Sequence, residues 1–398
     1  MQSDTCLTAL LVLCVSIGAL RAEGLDASSE SGADLRARHC GKAGLYLRPS
    51  TGARTTQREL YLRHPLLDAV VLSTFWREVE PQRGQYSFEQ LREEVAAWGK
   101  AGKGVVICLG LYGQAVDDQL TPPWIYEQPG VRELSFKGGG VARGRQIRIP
   151  AVWDQGFFDR YVEPMVRRFA EEFDGHPYVW YVMPGFGHIG NVTCQPSAGG
   201  SAACLEAGWT PREWSDYCRR VMQVYGEHFR QTPVFLKAAG MYIRDRQRDH
   251  YREECGQLLL EFARQGACVV HFGLEGDRSE MQDVYRHLAM LLPEARQGIS
   301  RIGLGDDWPL WVPEDRRDQG PTRDHDEANL GRTLENAFGG ADGVPEIPTT
   351  VLFCQQPEIL ASHPDAEGYR PAVADALERA RRRLKTNDQL LSADNHPK

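Results

Sequence analysis

The chain alternates between short, nearly continuous apolar runs and longer stretches whose apolar residues recur every three or four positions. The runs are "GLYLRPS", "DAVVLSTFW", "GVVICLGLYG", "YVWYVMPG", "PVFLKAAG", "CVVHFGLEG", "ISRIGLGDD" and "TTVLFCQQ", eight in all. Continuous rather than alternating hydrophobicity predicts strands covered on both faces. Between them lie amphipathic helices. One places Phe88, Leu91, Val95 and Trp98 on a single stripe, with Ser87 and Gln90 spaced as a capping box. Another opens on "TPRE", with Thr210 as cap, Pro211 at the first helical position and Glu213 reaching back. Its stripe is Trp214, Cys218, Val221, Tyr225 and Phe229, and the last helix shows Val373, Leu377, Ala380 and Leu384.

Eight such strands alternating with helices predict an α/β fold with a parallel sheet, closed as a (β/α)8 TIM barrel. An open Rossmann-type sheet would need a glycine-rich phosphate loop after the first strand, and "LYLRPSTG" is not one. The segment 114–156 is then a long loop insertion after strand three, over the C-terminal mouth. At the N-terminus, "CLTALLVLCVSIGAL" followed by "RAEG" reads as a signal peptide over residues 1–22. Residues 23–38 read as a linker and 39–398 as one barrel domain. The expected location is secreted or periplasmic, with no membrane attachment after cleavage.

Composition narrows the partners. With 398 residues and a formal net charge of -8, the chain carries no basic stripe for nucleic acid. The Arg379–Arg383 cluster is expected to be a solvated helix face. Eight cysteines remain after the leader, at 40, 108, 194, 204, 218, 255, 268 and 354. Cys108, Cys268 and Cys354 fall in strands and read as buried small hydrophobes. Cys194 and Cys204 enclose "QPSAGGSAA", a small loop that a disulfide would close in an exported protein. Neither CxxC nor HExxH is present, so no metal or other cofactor is expected; oligomeric state is left open.

The stretch "STFWREVEPQRGQYSFEQLREEVAAWGKAGKGVVICLGL" resembles a segment of (β/α)8-barrel glycoside hydrolases, in particular the bacterial β-galactosidase-like members. "TPPWIYEQPGV" and "RIPAVWDQGFFDRYVEPMVRRFAEEFDGHPYVWYVMPG" extend that resemblance over about residues 70–190. It implies a saccharide substrate or ligand. Trp76, Trp124, Trp153 and Trp308 all fall at or after strand ends, where indoles either stack on sugar rings or brace loops.

Hydrolysis of a glycosidic bond needs two carboxyl groups, and the resemblance implies a Glu just after strand four. Here strand four runs into "PGFGHIGN", so that position holds His188 or Asn191, and neither is an acid. Three readings follow: His188 donates the proton, another strand end supplies the acid, or the barrel binds saccharide without cleaving it. Asn191 is a candidate for holding sugar hydroxyls. The second carboxylate is sought in Glu275 after strand six, or in Asp306 and Asp307 beside Trp308 after strand seven, where the resemblance implies a nucleophile. Glu358 follows strand eight. Glu78 and Glu80 are expected to pair with arginines.

Overall fold

In the computed structural model the described residues are 31–48, 57–113, 120–138, 144–187, 192, 194, 198–238, 243, 251–274, 281–305, 309–311, 327–341 and 343–393. All eight strands form where the apolar runs lie. They are β1 (Gly44–Leu47), β2 (Leu67–Phe75), β3 (Gly104–Gly110), β4 (Val179–Met183), β5 (Phe235–Ala238), β6 (Cys268–Phe272), β7 (Ile302–Gly305) and β8 (Thr349–Cys354). They pair in parallel in the order β4-β3-β2-β1-β8-β7-β6-β5. The ring closes between β4 and β5 through one parallel bridge, Val182 to Val234, and a bond from the Val182 N–H to the Pro233 carbonyl at 3.1 Å. The fold is a (β/α)8 barrel.

Two apolar regions result from the strand period of two. Inward residues, among them Tyr46, Val106, Tyr181, Phe235, Val270 and Phe353, fill the barrel interior. The outward residues join the helices in a much larger shell. Four large rings share the interior, with Tyr46 stacked on Phe235 at 6.3 Å and Phe235 edge-on to Phe353 at 5.5 Å. Strand β7 makes room for them. A Cβ on Gly305 would sit 2.6 Å from the Phe353 Cβ, and one on Gly303 would sit 2.7 Å from a Val270 methyl. Small residues facing large ones are how a barrel interior reaches close packing.

The helical stripes bury as expected: Trp214, Cys218, Val221, Tyr225 and Phe229 are all fully enclosed, as are Val373, Leu377 and Leu384. Thr210 caps helix Pro211–His228 by accepting the Glu213 N–H. The expected Ser87 capping box does not form. Helix Glu89–Lys100 starts after Phe88, because the Ser87 N–H is bonded to the Val79 carbonyl at 2.8 Å. The insertion after β3 has structure of its own among its described residues. It contains an antiparallel hairpin, Glu133–Lys137 paired with Gln146–Pro150, whose Leu134, Phe136, Ile147 and Ile149 face the core.

The floor of the barrel uses charges where surface was expected. Residues 1–30 lie outside the described residues, but the second half of the linker is helix Gly32–His39, with a capping box between Ser31 and Asp34. Its Arg38 donates to the Phe229 carbonyl at 2.8 Å, and buried His39 bonds the Gly266 carbonyl at 2.8 Å. Arg381, from the arginine cluster read as solvated, forks onto Asp68 at 2.8 and 2.9 Å. Lys385 adds a second cation at 3.1 Å. Asp68 is only 7% exposed, so these contacts dock the last helix under β1 and β2.

At the β4–β5 seam, the Asp174 carboxylate accepts the backbone N–H groups of Arg230, Gln231 and Thr232 at 3.1, 2.9 and 2.8 Å. Asp174→Ala is expected to lower unfolding free energy by about 1.5–3 kcal/mol, the range for hydrogen bonds to a charged group. Urea unfolding monitored by circular dichroism measures this. A loss below about 0.5 kcal/mol would show that the seam holds without the carboxylate.

Candidate active site

Barrels place ligands at the C-terminal ends of their strands, and here the interior opens at that end. On β2, Ala69 and Val71 are buried while Ser73, next on the same inner face, is exposed. Open space therefore begins at the level of Ser73. The same parity carries inward-facing Tyr46 to Arg48 just past the end of β1, Phe235 to Lys237 on β5, and Val270 to Phe272 on β6. Lys237 is 6% exposed with its ammonium 4.1 Å from the Phe272 ring centre, and the Arg48 guanidinium lies 4.9 Å from the same centre. No sequence motif marks this trio; only strand register reveals it.

The turn after β4 is held with little freedom. Gly185 and Gly187 are required by close approach: a Cβ on the first would meet the Leu109 carbonyl at 2.9 Å, and one on the second would meet the Tyr112 hydroxyl at 2.2 Å. The Leu111 N–H reaches the Gly187 carbonyl at 2.8 Å, tying the turn to the end of β3. Further on, the Tyr112 hydroxyl donates to the Cys194 carbonyl, and the Trp214 indole N–H donates to the Val192 carbonyl at 2.9 Å. Phe186 is buried against Phe262. His188 and Asn191, which this turn carries, lie outside the described residues, as do Glu275, Asp306, Asp307 and Trp308.

Cys194 and Cys204 are neighbours, with sulfurs 3.7 Å apart as buried thiols rather than a disulfide. Much of the segment between them is ordered as the start of helix Ala198–Glu206, where a flexible loop was expected. Cys108, Cys268 and Cys354 are buried in their strands, as their context implies.

The described tryptophans divide. Trp76 is fully buried, edge-on to Trp124 at 5.9 Å and to Phe157 at 6.2 Å, and its N–H is bonded to Glu80 at 2.9 Å. It braces the end of β2, and the expectation of a sugar platform at Trp76 is corrected: no ring face is left for a ligand. Trp153 is 8% exposed and packs edge-on against Trp214, so it too is chiefly a brace. Trp124 keeps a partly exposed surface, while its N–H holds the Glu80 carbonyl at 3.1 Å.

The carboxylates near the mouth also differ from expectation. Glu80 bonds Trp76 and the Gly84 N–H, and Glu78 accepts from Thr74 and the Phe75 N–H; the bonds of both go to these neighbours rather than to arginines. Burial pushes the Glu80 carboxyl above its usual range. Glu358 is completely buried in the first turn after β8, where its Oε1 accepts the N–H groups of Leu310 and Trp311. It thereby anchors the segment that follows β7 and carries Asp306, Asp307 and Trp308. Among the described residues its Oε2 has no hydrogen-bond partner.

Burial raises Glu358 to about 7, against an unfolded value near 4.5. The folded state then binds a proton that the unfolded state has released, so this group's contribution to stability falls as pH rises from about 4.5 to about 7. Glu358→Gln keeps an oxygen for both N–H groups and removes the titration. Its stability relative to the parent is expected to improve by about 1–3 kcal/mol between pH 5 and 7.5. Equal pH dependence in parent and variant would show that Glu358 does not titrate in that window. Separately, Trp76→Phe should cost about 1–3 kcal/mol, since it removes one of the hydrogen bonds to the buried Glu80 carboxyl; urea unfolding indistinguishable from the parent would show that Trp76 does not brace the end of β2.

Residues 55–195 match the family model described as β-galactosidase, a glycoside hydrolase family. No curated protein matches the chain. Among solved structures, the β-amylase catalytic domain of Paenibacillus polymyxa aligns with a TM-score of 0.54 at 11% identity, over 85% of this chain and 97% of that one. Xylanase 10B of Thermotoga maritima aligns with a TM-score of 0.50 at 10% identity, over 88% and 98% of the two chains. Xylanase 10B of Thermotoga petrophila RKU-1, solved with xylobiose, gives 0.51 at 10% identity over the same shares. At such identities the structures establish common architecture. The chain is a (β/α)8 barrel with the fold of these glycoside hydrolases, and its residues 55–195 are similar to the β-galactosidase family.

Proposed function

We propose that this protein hydrolyses glycosidic bonds of a saccharide bound at the C-terminal mouth of the barrel. The carrying observation is the β-galactosidase-family match over residues 55–195, which spans β2, β3, the hairpin insertion, β4 and the β4 turn. In this reading Glu275, Asp306 or Asp307 is the nucleophile or base, attacking the anomeric carbon or activating water. His188 in the β4 turn donates the proton to the leaving oxygen, since an imidazolium does general acid work near neutral pH. Asn191, Trp308 and the partly exposed face of Trp124 hold the sugar, and Trp153 supports the turn from behind. Rigid anchoring of the β4 turn and of the segment after β7 supports this assignment, because catalytic groups need to be held to within a fraction of an ångström.

The test is hydrolysis of aryl glycosides and of plant and microbial polysaccharides by the purified chain. Glu275→Gln, Asp306→Asn, Asp307→Asn and His188→Ala are assayed alongside. At least one acid variant and His188→Ala should each lose about 100-fold or more in kcat. Parent-like turnover in all four would remove these residues from the mechanism, and no turnover by the parent on any substrate would remove hydrolysis.

The same reading takes residues 1–22 as an export signal and Cys194–Cys204 as a pair that oxidises after export. Chain expressed with its own N-terminus should then be recovered from the periplasm or medium. It should begin near residue 23 and lack two titratable thiols relative to a reduced sample. Retention in the cytoplasm with a full-length mass would contradict it.

A further inference from the structure

Beside the mouth, folding assembles a cationic surface that the linear order of charges hides. Tyr161 lies in the π-helical turn Phe158–Val162, just ahead of helix Glu163–Phe173. That helix runs down to Asp174 beneath the β4–β5 seam, so its start lies at the mouth end. Two guanidinium groups stand over the Tyr161 ring. Arg83, from the segment ahead of helix Glu89–Lys100, is 5.9 Å from the ring centre, and Arg160 is 5.6 Å from it. Tyr161 is buried, whereas both arginines are exposed. Trp124, with its partly exposed surface, lies edge-on to Tyr161 at 6.4 Å.

Neither arginine forms an ion pair among the described residues, and the acids around them are engaged elsewhere. Arg83 donates to Gln128 at 2.7 Å, and the Arg160 Nε–H donates to the Gly156 carbonyl at 3.0 Å. Asp159 and Glu163 both pair with Arg220 of helix Pro211–His228, at 2.8 and 2.7 Å. Glu80 is buried and bonded to Trp76 and Gly84. The pattern of a guanidinium over a ring repeats further down the helix, where Arg168 lies 6.0 Å from the centre of Tyr86 and Arg167 beside it is exposed. Eight residues separate Arg160 from Arg168, about 12 Å of helix. Here acids return, Glu171 pairing with Arg168 and Glu172 with Arg92. The stripe is therefore least compensated at its mouth end.

We propose that this stripe is a docking surface for a polysaccharide bearing carboxylates, which passes from the mouth over Trp124 onto Arg83 and Arg160 above Tyr161. An extended row of cations fits a polymer rather than a single small anion. A guanidinium presents its N–H groups as a planar fork that matches a carboxylate, and such charged bonds are roughly twice as strong as neutral ones. The rings beneath the guanidinium groups restrict them beforehand, so less side-chain freedom is lost on binding. A chain held here presents its neighbouring units to the barrel. That last step rests on the reading of the mouth as a saccharide site; the docking does not.

Affinity electrophoresis in gels containing polygalacturonate, with dextran as the neutral control, measures docking without any need for turnover. A chain of formal net charge -8 has no overall attraction for such a polymer. The purified parent should nevertheless be retarded by polygalacturonate and not by dextran, and the retardation should fall as salt is raised. Arg83→Gln and Arg160→Gln, each checked for parent-like circular dichroism, should weaken binding about two- to fivefold, the range for exposed charge pairs, and the double variant about tenfold. Arg382→Gln, on the last helix, removes the same charge away from the stripe and should match the parent. No retardation of the parent, or a double variant retarded like the parent, would overturn the proposal. So would an equal loss in Arg382→Gln, which would mean that overall charge matters and not the stripe. Equal affinity for duplex DNA would also overturn it, by showing a surface for polyanions in general. Stripe-dependent retardation of a chain that hydrolyses no glycoside keeps the docking surface and removes hydrolysis; hydrolysis without retardation does the reverse.

Discussion

Closure of the barrel depends on the seam between β4 and β5. Every other neighbouring pair of strands is joined by a run of paired residues, whereas these two share a single bridge beside Pro233, which has no N–H to give. What the ladder lacks is supplied below it. Asp174 ends the helix leading to β4 and gathers the three backbone N–H groups of the turn leading to β5, while the Gly175 N–H bonds the Thr232 hydroxyl at 2.9 Å. Helix Gly32–His39 spans the same region, with His39 between Tyr181 of β4 and the Gly266 carbonyl ahead of β6. These contacts back the single bridge that brings β1 and β5 to face each other across a shared space.

The position of the mouth follows from that closure. Two segments that leave the C-terminal ends, after β4 and after β7, are each tied down by buried groups: Tyr112 and Trp214 for one, Glu358 for the other. Division of labour between holding and reacting groups is what lets barrel enzymes vary their chemistry by their loops. The tryptophans belong mainly to the holding set. Trp76 and Trp153 stand at strand ends, but the insertion and helix Pro211–His228 cover them.

Much of this was legible in the sequence, and for identifiable reasons. The eight strands could be read because doubly covered strands have no polar face, and helices such as Pro211–His228 because one stripe carries all their large apolar residues. The floor could not be read. Arg381 sits among other arginines, of which Arg382 makes only an exposed pair with Glu378, and nothing local tells the one that meets Asp68 across more than three hundred residues from its neighbours. The hairpin in the insertion was missed because its alternation, Leu134 and Phe136 against Ile147 and Ile149, is short and interrupted by glycines. Ser87 and Gln90 had the right spacing for a cap, but a backbone bond to Val79 took the serine elsewhere. For the site, motif reading pointed to residues after the strands, while Arg48, Lys237 and Phe272 lie within or just beyond them and are visible only by counting parity from Tyr46, Phe235 and Val270.

The two glycines of β7 carry a consequence for how this barrel can change through evolution. Gly305 and Phe353 occupy one volume between them, as do Gly303 and Val270. The glycine of each pair cannot enlarge independently, because a larger residue on β7 is admissible only after its neighbour has shrunk. Exchanges across those strands must therefore arrive in order, the reduction first and the enlargement second, and a lineage that has taken the first step passes through a barrel with a hollow beneath its mouth. Such an intermediate is a route by which the floor of the pocket can deepen and a longer substituent be admitted, with every residue around the rim left as it is.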